Sequence, residues 1–254
     1  VIFRGDRLEQ YYVDLPGNWE GIHFLRASHD NEINYAIIKE ATVGIRVDSL
    51  KETTAPKLTL RNSVIAYALS SGILGITADI YGENSLIFSC GEWNTQLEFG
   101  GNYNFTNCTF ANYSSVLINH QSPVIRMSNY YYYKDDLGDH YLPADLNATF
   151  SNCIIHGSLD NELDRDPFAA AQFNYLFDHC LMKLADTVNV NTIHFSNIIK
   201  NQDPKFVDYY EKDDYHLASG SPCIDAGIAN SIFLDLAGKT RTGNWDIGCY
   251  EFVP

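Results

Sequence analysis

A six-residue pattern recurs along this chain: an apolar residue, any residue, Asn or a similar residue, a small residue, any residue and an apolar residue. Clear copies lie at residues 60–65, 105–110, 150–155 and 177–182, and looser copies at 33–38 and 82–87. The spacings between successive copies are 27, 22, 23, 45 and 27 residues. Repeats of this length are typical of solenoids, in which each coil contacts only its neighbours.

Short segments with alternating apolar residues predict strands that present one face to a core. A single coil cannot bury that face alone, so the coils must stack. The chain is therefore predicted to be all-β, a right-handed parallel β-helix with coils of about 22–27 residues. A β-sandwich also has many short strands, but it does not explain the near-constant return of one motif. The 45-residue spacing holds either an extra coil or one large inserted loop.

The predicted organisation has two parts. Residues 1–202 form the coils, with insertions near 112–146 and 157–172, and residues 203–254 form a C-terminal capping segment on the last coils. In stacked coils, equivalent positions lie one above another at roughly 4.8 Å. The pattern thus predicts an amide ladder at a turn and an inward stack of small thiols. The predicted ladder is Asn62, Asn84, Asn107 and Asn152, and the predicted stack is Cys108, Cys153 and Cys180.

Composition excludes several classes of protein. The net charge of −15 argues against nucleic acid, which requires a basic footprint, and more weakly against a polyanionic glycan. No apolar run approaches the 18 or so residues of a membrane span. The six cysteines form no CxxC pair, so a zinc ribbon is not indicated. The chain opens on strand-like residues without a leader, and we expect further coils and an export signal upstream.

The first candidate site is the tyrosine-rich part of the 112–146 insertion. Aromatic faces stack on sugar rings, and loops on a rigid scaffold are where binding residues concentrate. In an extended segment, alternate tyrosines point to opposite faces. The alternative is a loop fastened to the solenoid by its aromatic side chains. The candidate residues are Tyr130, Tyr131, Tyr132, Tyr133, Lys134, Asp135, Asp136, His140 and Tyr141.

The second candidate site is an acidic stretch in the next coil, comprising Asp160, Glu162, Asp164 and Asp166. Carboxylate oxygens suit a hard cation such as calcium, so this stretch predicts a calcium site. It lacks the glycine and the terminal glutamate of an EF-hand. A solvated acidic loop is the alternative.

Two regions carry a family resemblance. The N-terminal region contains residues 3–7 (FRGDR), 17–22 (GNWEGI) and 34–38 (NYAII), and the C-terminal region contains 214–217 (DYHL), 221–227 (SPCIDAG) and 246–251 (DIGCYE). Together they resemble β-helix surface lipoproteins of Bacteroides-type gut bacteria and the ending common on such exported proteins. The resemblance implies the fold and export to the cell surface, the periplasm or the medium; it implies no particular reaction.

The C-terminal ending supplies further expectations. Its charged residues Asp225, Asp235, Arg241, Asp246 and Glu251 are predicted to be structural, with an arginine fork holding an irregular segment in place. A catalytic role for this set is the alternative. Cys223 and Cys249 stand where the resembling proteins have a small residue, so either a disulfide or two buried thiols is expected.

Three functions remain open from the sequence. The favoured one is a monomeric surface protein that binds a glycan, or acts in adhesion, without catalysis. The second is a polysaccharide lyase or glycoside hydrolase acting on a plant or host glycan, with Lys134 or Arg165 as candidate bases. The third is a structural spacer of a larger surface protein. A groove with Lys or Arg beside three carboxylates would favour a lyase, whereas an exposed aromatic shelf would favour binding.

Overall fold

Short strands make up nearly all of the regular structure in this computed structural model, which describes residues 1–49 and 55–254. One 3₁₀ turn, Gln10–Tyr12, lies near the N-terminus. The strands are β1 (Ile2–Phe3), β2 (Ile22–Phe24), β3 (Asn31–Asn34), β4 (Ile37–Lys39), β5 (Ile45–Asp48), β6 (Leu58–Arg61), β7 (Val64–Ala66), β8 (Ile73–Glu83), β9 (Leu86–Phe88), β10 (Thr95–Thr106), β11 (Thr109–Asn112), β12 (Ile125–Ser128), β13 (Tyr130–Asp135), β14 (Gly138–Pro143), β15 (Leu146–Ser151), β16 (Ile154–Gly157), β17 (Leu163–Asp166), β18 (Phe173–Asp178), β19 (Leu181–Met182), β20 (Phe195–Ser196), β21 (Ile199–Lys200), β22 (Phe206–Asp208) and β23 (Asp214–Leu217).

The strands stack into two long parallel sheets. One runs β1-β4-β7-β9-β11-β16-β19-β21. The other runs β2-β5-β8-β10-β15-β18-β20, with β3 and β6 joined to β8 and with β12 and β17 joined to β10. Parallel pairing between strands a full coil apart in sequence, without crossover helices, is the topology of a solenoid. The fold is a right-handed parallel β-helix, as the repeat predicted.

Each coil supplies strands at three positions. β5 pairs with the first half of β8 and β6 with its second half, so β8 holds the first and second positions in one bent strand. β10 does the same, whereas β12 and β15 divide the two positions between separate strands. The third position belongs to the other sheet and includes β7, β9, β11 and β16. Insertions between the first and second positions therefore emerge from one side of the solenoid.

The core is a continuous column of side chains from successive coils. Phe105, Phe150, Phe177 and Phe195 occupy equivalent inward positions, and their neighbouring rings stack with centroids 5.2, 4.7 and 5.7 Å apart. Asn197 belongs to one more copy of the turn, which the sequence pattern missed because Ile198 replaces the small residue after the amide and Lys200 replaces the final apolar residue.

The repeat asparagine turns the chain from the second strand into the third. Asn62, Asn84, Asn107 and Asn152 all have a positive φ of 46–52°. Asn tolerates this left-handed conformation better than most residues because its short amide bonds locally. Neighbouring amides bond in two places: Asn84 Nδ2 donates to Asn62 Oδ1 at 2.7 Å and Asn152 Nδ2 to Asn107 Oδ1 at 2.9 Å. The predicted ladder exists, with an interruption between Asn84 and Asn107.

The cysteines Cys108, Cys153 and Cys180 are fully buried in the core, as expected for an inward stack. Burial and the two neighbouring thiols raise the pKa of Cys153 well above its usual value. Cys223 and Cys249 are likewise buried, and all six cysteines are free thiols. Of the two alternatives at the C-terminus, the structure has the pair of buried thiols.

The 45-residue spacing contains one enlarged coil. β15 pairs directly with β10, so no complete coil lies between them. The predicted insertions were too broad, because β12 and β17 fall inside 112–146 and 157–172 yet belong to the solenoid. Ile125, Met127 and Leu163 face the core, which explains why these segments pair as strands. The true protrusion is the antiparallel hairpin β13–β14.

The C-terminal segment lies along the side of the solenoid. Its contacts are not limited to the last coils but reach back to earlier ones. It covers the outer face of the third-position sheet, where Leu86, Ala111 and Ile154 would otherwise be exposed. Arg241 is buried and donates to Glu251 Oε2 at 3.1 Å and to Asn84 Oδ1 at 3.0 Å. This contact interrupts the ladder at Asn84 and holds the segment against a middle coil.

The charged residues of this segment hold its turns. Asp246 accepts from the backbone N–H groups of Asp225 and Phe252, and Asp235 accepts from those of Lys239 and Glu251. Asp225 itself is exposed and contributes its backbone to this network. The arrangement fits a structural role. In the described residues, no helix is long and apolar enough to cross a membrane.

Candidate groove beside the tyrosine hairpin

The outer face of the first-position strands carries a row of side chains aligned across the coils. The parallel register places Arg46, Leu74, Gln96, Arg126 and Asp164 side by side in that order. Because side chains alternate along a strand, all five point away from the core. On each strand the residue two positions later also points outward, and these residues form a second row of side chains beside the first.

Arg126 is the centre of an ionic cluster on this face. Its Nε donates to Glu98 Oε1 at 2.7 Å, its Nη2 donates to Asp166 Oδ2 at 3.1 Å, and its Nη1 donates to Asp164 Oδ2. Tyr130 adds a hydroxyl that donates to Asp166 Oδ2 at 2.8 Å. One guanidinium thus holds three carboxylates from the strands on either side of it.

The charge of Arg126 is stabilised by this arrangement. Partial burial lowers its pKa, but attraction to Glu98 and the bonds to Glu98 and Asp164 outweigh burial and raise the pKa above its ordinary value. Arg126 is therefore cationic at any physiological pH. With one guanidinium and three carboxylates, the cluster has a formal charge of −2.

The hairpin β13–β14 stands beside this cluster. Tyr132 lies opposite Tyr141, and Tyr133 lies opposite His140. Tyr130 and Tyr132 contact the ring of Tyr141, whereas Tyr131 and Tyr133 stack on each other on the second face. The alternation expected for an extended segment is therefore present.

Each face of the hairpin also has a contact with the rest of the protein. The ring of Phe168 stacks on Tyr141 at 5.1 Å, and the ring of Phe99 lies 6.0 Å from Tyr131. Even so, Tyr131 is 53% exposed, Tyr132 47% and Tyr141 45%. The hairpin is thus supported at its base and leaves large parts of its aromatic surface open to solvent.

An open groove of about 620 Å³ lies between the hairpin and the outer face of β8, β10 and β12. Leu74 and Ile76 form an apolar part of its lining, and Gln96, Glu98 and Arg126 form a polar part. The residues that line it are Leu74, Ile76, Gln96, Glu98, Phe99, Arg126, Ser128, Tyr130, Tyr131, Tyr132 and Tyr141.

Only some residues of the predicted tyrosine site line the groove. Tyr130, Tyr131, Tyr132 and Tyr141 line the groove, whereas Tyr133 stacks on His140 outside it. The remaining predicted residues Lys134, Asp135, Asp136 and His140 lie toward the hairpin tip. Lys134 is mostly exposed and 3.5 Å from Asp139, and Asp135 accepts from His140.

The predicted calcium residues do not converge. Glu162 is fully buried and accepts from the backbone N–H groups of Val124 and Leu159 at 3.0 and 2.8 Å. Asp160 is exposed in the loop, and Asp164 and Asp166 pair with Arg126. Within residues 1–49 and 55–254, no group of three His, Cys, Asp or Glu side chains is placed to hold a metal ion. The structure therefore does not bring the four predicted residues together at one point.

Sequence reasoning missed Glu98 and Arg126, and it placed Asp164 and Asp166 in a loop. Both aspartates lie on β17, two residues apart on one strand face. The available signal was the apolar alternation of Ile125 and Met127, which places Arg126 outward. Arg165, a candidate base, donates to Tyr175 Oη at 2.6 Å and does not line the groove.

Comparison with known proteins finds similarity to solved structures but not to curated sequences. No family model and no curated protein matches the chain. A crystal structure of pectate lyase Pel9A is similar over 99% of this chain and 86% of its own length, with 10% sequence identity and a TM-score of 0.33. The strand topology described above defines this protein as a parallel β-helix. The lining residues define an aromatic groove on its side.

Proposed function

We propose that this chain is an exported, monomeric cell-surface β-helix protein that binds a glycan in the groove beside the tyrosine hairpin, without cleaving it. The observation that carries the proposal is the set of partly exposed tyrosines that line one groove together with polar side chains of the neighbouring strands. Its volume of about 620 Å³ lies within the roughly 300–1,000 Å³ typical of small-ligand sites. The family resemblance supports export.

The shape and chemistry of the groove suit a sugar chain. Tyrosine rings present flat apolar faces together with hydroxyls that bond at their edges. Gln96 and Glu98, both partly exposed, add polar atoms to the lining, where sugar hydroxyls need partners. The groove is open to solvent, so a polymer can continue beyond both ends.

A lyase or hydrolase is the second candidate, and one observation favours it: Arg126 lies beside three carboxylates on an outward strand face. A lyase base must accept a proton, however, and the raised pKa keeps Arg126 protonated. A hydrolase needs two carboxylates free to flank a glycosidic bond. Glu98 and Asp166 are instead bonded to Arg126, and this pairing supports binding over catalysis.

The test is a glycan array probed with and without calcium, followed by product analysis of each hit. Tyr131→Ala/Tyr132→Ala removes two exposed groove rings, and Tyr11→Ala/Tyr210→Ala removes two exposed rings elsewhere as a matched control. We expect the first variant alone to lose binding, with no new reducing ends and no unsaturated products absorbing in the ultraviolet. Product formation by the wild type would establish the enzyme instead.

A further inference from the structure

The groove has one source of positive charge. Of its lining residues in the described part of the chain, Arg126 alone is cationic. A uronate or sulfated sugar needs such a cation to offset the cost of leaving water. The charge selectivity of the groove therefore depends on whether Arg126 is free to bind a ligand.

Arg126 is already committed to protein carboxylates. Each of its three nitrogens donates to a different residue, Glu98, Asp164 or Asp166. Its guanidinium carbon also lies 5.9 Å from the ring centroid of Trp93, which approaches it from another direction. A carboxylate of a ligand would have to displace one of the three protein carboxylates or bind close to all three of them.

The fixed bonds hold the carboxylates in place. Glu98 Oε1 also accepts from Gln96 Nε2 at 2.9 Å, and Ser128 Oγ donates to Glu98 Oε2. Asp166 is held by Tyr130 as well as by Arg126. Reorganisation to admit an anion would break several of these bonds together, and charge-assisted bonds are the stronger kind.

We propose, resting on the glycan-binding function above, that the groove selects neutral sugar chains and rejects polyuronates, with Arg126 and its three carboxylates as the specificity-determining set. A neutral chain can use the tyrosine rings and the partly exposed Gln96 without disturbing the ion pairs. An anionic chain meets a cluster of net charge −2 and gains no free cation. Repulsion of this kind is screened by salt over roughly 10 Å at 0.1 M.

The experiment measures dissociation constants for matched oligosaccharides of one linkage and length, one built of hexose and one of the corresponding hexuronate. The wild type is compared with Glu98→Gln/Asp164→Asn/Asp166→Asn, which keeps the side-chain shapes and frees Arg126. A control with the same change of charge, Asp6→Asn/Glu9→Gln/Glu211→Gln, alters three exposed acids outside the groove. Circular dichroism melting checks that each variant is folded.

We expect the wild type and the control to bind the hexose chain at least tenfold more tightly than the uronate, and the groove variant to reduce that ratio below threefold. The wild-type ratio should also fall as salt is raised. Equal or tighter uronate binding by the wild type would overturn the selectivity while leaving glycan binding intact. A control variant that loses discrimination as fully as the groove variant would also overturn it. An absence of binding to both chains would overturn the proposed function itself.

Discussion

Arg126 Nε donates to Glu98 Oε1 over 2.7 Å, although the two residues are 28 positions apart and belong to successive coils. The parallel register between β10 and β12 brings them together. The same register brings Asp164 and Asp166 to the other side of the guanidinium. The stacking of coils thus assembles a site that no continuous stretch of sequence contains.

Removing the guanidinium should destabilise the fold. Arg126→Met leaves three carboxylates facing one another, and like charges on neighbouring strands repel. Because the cluster is partly solvated, we expect a loss of about 1–2 kcal/mol in the free energy of unfolding, measured in urea. Adding Glu98→Gln/Asp164→Asn/Asp166→Asn to this variant should recover most of the loss. A failure to recover would mean that lost packing of the arginine stem is responsible.

His156 should make stability fall in mild acid. Burial, followed by repulsion from Lys183, lowers its pKa from 6.5 to about 4, and its Nδ1 shares a hydrogen bond with Tyr113 Oη, 2.8 Å away. Below pH 6.5 the unfolded chain takes up a proton that the folded chain resists until about pH 4. Stability should therefore drop across that window by up to about 3 kcal/mol.

Equilibrium unfolding at pH 7, 6, 5 and 4 checks this. His156→Gln should flatten the pH dependence in this window, whereas His29→Gln, which removes an exposed histidine, should leave it unchanged. A wild-type slope retained in His156→Gln would assign the titration to another group.

The ladder residue Asn152 should be far more important for stability than an exposed asparagine. Its amide bonds Asn107 at 2.9 Å and both backbone groups of Ile228, and its φ is 52°. We expect Asn152→Ala to cost about 2–4 kcal/mol from lost hydrogen bonds and left-handed strain. Asn152→Gly loses the same hydrogen bonds but avoids the left-handed strain, so its loss should be smaller than that of Asn152→Ala. Asn174 is exposed and donates to Asn147 Oδ1 at 3.1 Å, so Asn174→Ala should cost under about 1 kcal/mol. Similar losses for the two alanine variants would contradict the ladder's structural role.

The thiols should be inert in the folded protein. Burial raises the pKa of Cys90 and of Cys249 to about 12, so little thiolate exists at neutral pH. Ellman's reagent at pH 8 should detect almost none in the native state and all six after denaturation without reductant. A count of four would indicate a disulfide.

Much of the fold could be predicted because the repeat obeys local rules. Apolar alternation defines the inward faces, and Asn62 or Asn107 marks a turn that requires a left-handed residue. The strand β12 was hidden because a long connection and a hairpin surround it, and only two of its residues, Ile125 and Met127, signal the core. Local patterns of this length cannot identify a strand whose pairing partner is a coil away.

The site was only half predictable. The tyrosine run is visible in the sequence, and its extended geometry determines which rings share a face. Glu98 on the strand face beside it could not be assigned, because the register of β12 on β10 depends on how the irregular connection over residues 113–124 is accommodated. Asp164 was misread for the same reason, since an acidic residue on an outward strand face looks like a loop residue when its neighbouring strand is unknown.

The most direct test of the central claim is the affinity of the best glycan from the array, measured by isothermal titration for single variants. Tyr131→Ala and Tyr132→Ala should each weaken binding about tenfold, which corresponds to roughly 1.4 kcal/mol, while Tyr210→Ala binds like the wild type. If Tyr131→Ala and Tyr132→Ala bind as tightly as Tyr210→Ala, the groove is not the glycan site.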